Sequence, residues 1–524
     1  MKQSYLTAFI PFVLVIFLMK MCSNDDGHQN GQHNEQSDHE HGVVEFSISC
    51  NDEAQEYFNQ ALGHLHHMMY EQARPVFRDA AEADPNCAMA HWGIAMTSFQ
   101  PLWHPTPDEG LNRGKEALET ARSLEIPTER EEANIRAAEA FFTDPEPAVE
   151  SRARDHEMRL DAWKNAQRDI FESYSDDVDA AAFYALADIS YAVTQFSPYE
   201  DRDFTRETRA GELMEEYLED YPEHPGLFHY LIHAYDSPEL AYRAEEYAHQ
   251  YDKLAPETVH ALHMPSHIFV RLGKWDETID WNERSAAAAK DVMDRDAHAS
   301  AHYVHALDYV MYGYLQTGNA GKATETLDRV LAKEEIYSAP FAGYNAAAPQ
   351  ARYYLEQAKW EEAANLETGQ PAALPWEEFP VAEALIHYAR GLGSARTGNL
   401  AQAEEERDEI FKRVQMLRDA DDTYWAYMTE ATGKAVDAWI KYEEGYIDEA
   451  LELMSEAADL EDSMDKHAIT PGETYPVREL YGELLKNEGN LEEAQMAFEK
   501  SLERTPNRRN ALQYLDEISQ LVMD

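Results

Sequence analysis

The chain has 524 residues, 44% of them hydrophobic, which excludes a disordered polypeptide and allows one large core or several small ones. Its 100 acidic residues against 44 basic ones give a formal net charge of −56. That balance excludes nucleic acid, whose phosphates would be repelled, and docking on anionic lipid through a basic patch.

Residues 1–22, MKQSYLTAFIPFVLVIFLMKMC, place a lysine before an apolar run over 6–19, the layout of an export signal. The run is shorter than the roughly 20 residues a spanning helix needs. Cys22 stands where a lipoprotein cysteine would, although Lys20 and Met21 occupy positions where small residues are usual. The segment predicts an exported, lipid-anchored envelope protein, periplasmic or facing the outer membrane. Residues 23–42 are polar and turn-rich and read as a flexible linker rather than a metal-collecting tail, despite His28, His33, His39 and His41. Cys50 and Cys87 could pair in an exported protein, but two cysteines are no disulfide framework, and buried free thiols are the favoured reading.

VVEFSIS (43–49) alternates as a short extended lead-in would, and helical sequence then takes over. From Asp52 onward apolar residues recur three and four apart, and no alternating run is long enough for a sheet. Punctuation is regular: DPN at 84–86, YPEHPG at 221–226, APE at 255–257, TGN at 317–319 and 397–399, EGN at 488–490, TPN at 505–507. The clearest unit is ELYGELLKNEGNLEEAQMAFEKSLERTP. There Gly482 lets two helices approach, Ala494 and Phe498 pack between them, and Pro506 ends the second. Ala73, Phe77, Ala80 and Pro85 repeat these offsets near the N-terminus. This is the tetratricopeptide pattern of roughly 34 residues per helix pair. The expected fold is an all-α helix-hairpin solenoid, a right-handed superhelix. N-terminal hairpins span 43–105, a divergent helical section 106–225, histidine-rich hairpins 226–370 and further repeats 371–524.

Beyond the repeat, FSISCNDEAQEYFNQAL, HPGLFHYLIHAYDSPELA, ALHMPSHIFVRLGKWDETIDWN and HALDYVMYGYLQ resemble a group of exported bacterial tetratricopeptide proteins. The resemblance is specific over 46–366 and implies fold and export, but no chemistry.

Ten of the 22 histidines fall between His224 and His305. His229 and His233 are four apart; His260, His263 and His267 sit at i, i+3, i+7; His302, His305 and Asp308 step by threes. On helices each set shares one face. The repeat register puts these residues and Asp236 on the first helices of three successive hairpins, facing a concave groove. Three readings stay open: a polar recognition pocket, which is preferred; a zinc or copper site, with His260, His263, His267 and His305 as candidate ligands; or histidines that satisfy buried tyrosines and carbonyls. Pro265 interrupts HALHMPSH, so His263 and His267 need not share a straight helix. A second candidate cluster is His64, His67, His91, Trp103 and His104, beside the proline-stiffened PLWHPTP loop.

Enzyme signatures are missing: no HExxH, since His156-Glu157 lacks the second histidine; no phosphate-binding loop in GLNRGKE; no GxSxG elbow. The expectation therefore leans away from an enzyme and toward a scaffold binding a protein, peptide or other ligand in its groove, although an active site assembled from distant histidines and acids would escape such motifs. The alternative is a metal-binding protein or metal-dependent enzyme using the same histidines.

Overall fold

In the sequence the turn signals separate one helix from the next, and the computed structural model, which describes residues 42–103, 105–195 and 202–523, is built of such helices. Cys22, the linker histidines and His104 lie outside the described residues. No strand occurs among those described; Gly42 makes an isolated bridge, and the 43–49 segment is tied by the Val43 amide donating to the Glu223 carbonyl at 2.9 Å.

Helices pack as sequential antiparallel pairs, an all-α helix-hairpin solenoid. The first pair is α1 (Asp52–His66) and α2 (Tyr70–Ala83). Asn51 caps α1 by accepting the Ala54 amide, and Asp52 and Glu53 sit favourably against its N-terminal dipole. The divergent section is also helical, and includes α3 (Val178–Thr194). The histidine-rich hairpins follow. They are α4 (Pro225–Ala234) with α5 (Ala241–Ala248), then α6 (Val259–His263) and α7 (Pro265–Arg271) with α8 (Trp275–Val292). Next come α9 (Ala299–Gln316) with α10 (Ala320–Leu331), and α11 (Pro340–Leu355). The chain closes with α12 (Val477–Asn487), α13 (Leu491–Arg504) and α14 (Arg509–Met523).

The repeat landmarks work as expected. A Cβ on Gly482 would lie 2.7 Å from the Phe498 ring, so only glycine permits this approach of α12 to α13. The TGN and EGN turns place Gly318, Gly398 and Gly489 at φ 71°, 78° and 80°. Ala358, exposed in the equivalent turn before α11's partner helix, is held at φ 52°. A Cβ there costs roughly 1–2 kcal/mol, against the roughly 0.5–1 kcal/mol of extra backbone entropy that glycine loses on folding. Ala358→Gly is thus expected to stabilise by about 0.5–1 kcal/mol in urea denaturation; a loss of stability would show the turn to be unstrained.

One expectation is overturned. Cys50 and Cys87 are not free thiols: they form a disulfide with Cα atoms 5.3 Å apart, joining the lead-in to the start of the second hairpin. The pairing arises because Phe46, stacked on Trp92, brings the lead-in down onto the first hairpins.

The buried apolar side chains form two large clusters, one running from Phe46 to Trp281 and one from Val259 to Leu484. They meet at α6–α9, where the histidines are concentrated. The C-terminal segment returns to this region: Trp275 Nε1 donates to the Asn507 carbonyl at 3.0 Å, and Arg508 reaches Tyr312 and Glu356.

Candidate metal centre

Because α4, α6–α7 and α9 are the first helices of consecutive hairpins, side chains at matching register stack in neighbouring rows. The structure does bring His229, His233, His260, His263, His267, His302 and His305 together. It does not leave them on an open wall. His229, His260, His263, His267 and His305 are between 0% and 6% exposed, while His233 and His302 are partly covered. The expected open groove is closed here because the 464–475 segment packs over the helices. Lys466 Nζ reaches Asp236 at 2.7 Å, and Asp465 accepts from Arg271 at 2.7 Å.

Six of the histidines fall into two triads, His229–His233–His260 and His263–His267–His305, in each of which one ring nitrogen per residue lies within 4.8 Å of the others. Each triad takes an i, i+4 pair from one hairpin and a single imidazole from the next. Pro265 divides α6 from α7 by removing an amide donor. Met264, however, keeps helical dihedrals (φ −53°, ψ −41°), so His263 and His267 still point to one place.

The tautomers follow from the partners. His229 Nδ1 must donate to the His66 carbonyl, 2.7 Å away, which leaves Nε2 as a bare lone pair. His263 Nδ1 lies 2.7 Å from Asn282 Oδ1, and the Asn282 amide is fixed by its own donation to the Thr278 carbonyl at 2.8 Å. His267 Nδ1 donates to Asp236 Oδ2 at 2.9 Å. Burial opposes the charge on Asp236, but Lys466 and Arg271, with the His267 bond, hold it well below the ordinary carboxylate range. With Nδ1 of each ring as the donor, the Nε2 atoms of His263 and His267 are the acceptor positions, and they face each other at 3.0 Å. Two lone pairs at that separation repel unless a cation lies between or beside them. A proton is disfavoured: burial and the neighbouring imidazoles push His263 well down, and burial pushes His267 down.

The other triad shows the same need. His229 Nε2, His233 Nε2 and both ring nitrogens of His260 have no hydrogen-bond partner among the described residues, although buried. His305 Nδ1 makes no hydrogen bond within the usual distance, although the Asn345 side chain stands near enough to favour the protonated ring. Burial pushes His233 and His305 to about 3 and His302 to about 4. Burial thus favours the neutral form of each of these rings. Neutral imidazoles oriented by carboxylate, amide and carbonyl partners are what zinc, copper or nickel take as ligands.

The remaining predicted residues divide. Asp236 supports His267 rather than facing a ligand. Asp308 turns away from the histidines to Arg352, whose Nε lies at 3.0 Å, and burial raises its pKa. His302 sits beside the His260 ring, with centroids 5.8 Å apart. The second candidate cluster does not form a site of its own. His67 bonds Tyr251 and His64 lies on α1 near it. His91 is half-buried, and Trp103 packs edge-on to Tyr70 and His260 as part of the wall of the first triad.

Sequence reasoning placed His66 with the second cluster and missed Asp179, His224, Asn282 and Lys466. His66 Nε2 and His224 Nε2 lie 2.8 and 3.3 Å from Asp179 Oδ1, and His66 Nδ1 meets the Tyr230 hydroxyl at 3.0 Å. Burial opposes ionisation of Asp179, yet the two imidazoles hold its pKa below the usual range. This buried group braces the His66 carbonyl that orients His229. The signal available was HHMM itself, two histidines on an apolar helix face that demand polar partners.

Residues 475–508 match the tetratricopeptide repeat family. No curated protein matches the chain. Among solved structures the chain is similar to yeast Tom70, at 12% identity over 90% of this chain and 96% of that one, with a TM-score of 0.34. It is also similar to the human IFIT1 dimer with m7Gppp-AAAA, at 12% identity over 91% and 97%, with a TM-score of 0.31. Likenesses this distant carry nothing about ligands. The matched stretch, folded as the α12–α13 hairpin, is a tetratricopeptide repeat, and the helix pairs that precede it share its antiparallel hairpin form.

Proposed function

We propose that this protein is an exported tetratricopeptide scaffold that holds copper or zinc in its buried histidine triads and is tethered to the envelope through Cys22. The observation that carries the metal is the approach of the His263 and His267 Nε2 atoms to 3.0 Å in an enclosed site, with Nδ1 of each ring already engaged by Asn282 and Asp236. The unpartnered nitrogens of His229, His233 and His260 repeat it one hairpin earlier. Export is supported by the signal-like sequence of 1–22 and by the Cys50–Cys87 disulfide, which suits an oxidising compartment. No helix among the described residues is long and apolar enough to cross a membrane. A recognition pocket without metal is the weaker reading for these histidines, because burial withholds them from a peptide. The tetratricopeptide fold still suits the protein to act as a scaffold for a protein partner.

Metal analysis of protein purified without a histidine tag tests the reading. Copper or zinc is expected in stoichiometric amount, lost in a His260→Ala/His263→Ala double variant. Saturating metal at about 1,000 times its Kd is expected to stabilise the wild type by roughly 4 kcal/mol. His260→Leu separates a ligand from a structural residue. Its ring makes no hydrogen bond to lose, so the metal-free variant is expected to be as stable as wild type or more so. Metal-free protein whose melting is unmoved by copper or zinc would retire the proposal.

A further inference from the structure

We infer that the two triads form a single binuclear copper centre that binds dioxygen between its ions, an inference that rests on the metal-binding reading above. The triads are not separate sites. His260 and His263 are one turn apart on α6 and belong to different triads, with ring centroids 6.0 Å apart. His233 and His267, also from different triads, stand at 5.9 Å. Within triads the rings approach to 5.0 Å (His229–His233), 5.1 Å (His229–His260), 5.0 Å (His263–His267) and 4.2 Å (His263–His305). Rings of the two sets are therefore scarcely farther from each other than from their own partners, and ions held by each share one enclosure.

The donor set selects the metal. All six candidate ligands are imidazoles, with no carboxylate among them, and the only two cysteines among the described residues are tied in a disulfide. The nearby carboxylates are already balanced: Asp236 by Arg271 and Lys466, and Asp465 by Arg271 and Arg202. Two zinc ions would bring four uncompensated charges into a buried space and would each seek a fourth ligand. Two cuprous ions bring two charges, and three imidazoles complete each one's coordination, consistent with the preference of soft, monovalent copper for low coordination.

The same charge argument selects the ligand. When dioxygen enters, each Cu(I) gives up one electron to become Cu(II), and dioxygen accepts both to become peroxide bridging the pair. No proton is required. Two Cu(II) with one peroxide carry the same net charge, two positive, as the two Cu(I) they replace, so the buried enclosure meets no new charge. Return of the two electrons releases dioxygen. The enclosure is closed around His229 and His263 and only partly covered at His233 and His302, on either side of His260. So slight an exposure leaves no opening for a peptide.

The test uses the full, untagged chain reconstituted with Cu(I) under nitrogen and then exposed to air. Two coppers per chain are expected, with a near-ultraviolet charge-transfer band appearing on oxygenation. Both ions should be oxidised, yet electron paramagnetic resonance should be nearly silent because their spins couple through the bridge. Removing oxygen should reverse the band. A single copper per chain, or two coppers whose full Cu(II) signal is seen after air, would overturn the binuclear assignment while leaving metal binding intact. Failure to bind either copper or zinc would remove the metal-binding reading itself. A His229→Gln variant provides the internal check: it should keep one copper and, once oxidised, show the isolated Cu(II) signal that the wild type lacks.

Discussion

Arg508→Met is expected to destabilise the protein by about 3–5 kcal/mol, because it leaves buried carboxylates without their cation. Arg508 is fully buried and donates to Glu479 at 2.5 and 3.0 Å, to Glu356 at 2.8 Å and to the Tyr312 hydroxyl at 2.7 Å. Glu479 is itself fully buried, and burial already raises its pKa against the pull of Arg508. Removing the guanidinium would push it further, so the variant should recover part of its stability in mild acid as Glu479 protonates. An Arg508→Met/Glu479→Gln double variant should likewise regain part of the loss, since one buried charge is gone. Chemical denaturation at neutral pH measures both. A single-variant cost below about 1 kcal/mol would mean that water reaches these carboxylates and the C-terminal return is not sealed.

The second large effect is acid sensitivity of the metal-free protein. In the unfolded chain each histidine binds a proton as pH falls through about 6.5. In the fold, His233 and His305 resist protonation to about 3 and His302 to about 4, chiefly because burial penalises the charged ring. His229, His260 and His263 are held well below the ordinary value, first by burial and then by the imidazoles around them. Between these limits the unfolded chain holds more protons, so stability is greatest above pH 6.5 and falls as pH drops toward 4. Each such imidazole removes about 1.4 kcal/mol per pH unit. Asp308, Asp422, Glu461 and Glu479, raised by burial, act in the opposite sense over part of this window, but the imidazoles outnumber them. Unfolding free energies from urea titrations at pH 7.5, 6.5 and 5.5 should therefore decline by several kcal/mol in total. A flat profile would show that the cluster admits water or protons freely. The depressed carboxylates Asp179 and Asp236 act in the same direction but only below their unfolded pKa near 4, which keeps the two contributions apart.

The fold was legible because its determinants are local. Gly482 and Phe498, the TGN and EGN turns and the three- and four-residue spacing of apolar residues each specify a hairpin within about 34 residues. The candidate site was legible in part for the same reason. His229/His233 and His263/His267 share helix faces by spacing alone, and repeat register stacks those faces. Asp308 obeys the same spacing and still belongs elsewhere, since Arg352, 44 residues away, claims it. Spacing names a face and does not name a partner.

By itself, then, the sequence determined an all-helical repeat protein and the set of imidazoles that would be neighbours, because helix period and turn chemistry act over a few residues. The tertiary structure decided that those imidazoles are enclosed, which nitrogen of each carries the proton, and that Cys50 meets Cys87. Those outcomes depend on the His66 carbonyl, Asn282, Asp236 and the 464–475 segment, brought from as far as 230 residues away. Burial and hydrogen-bond partnership are properties of the packed chain, and no local pattern encodes them.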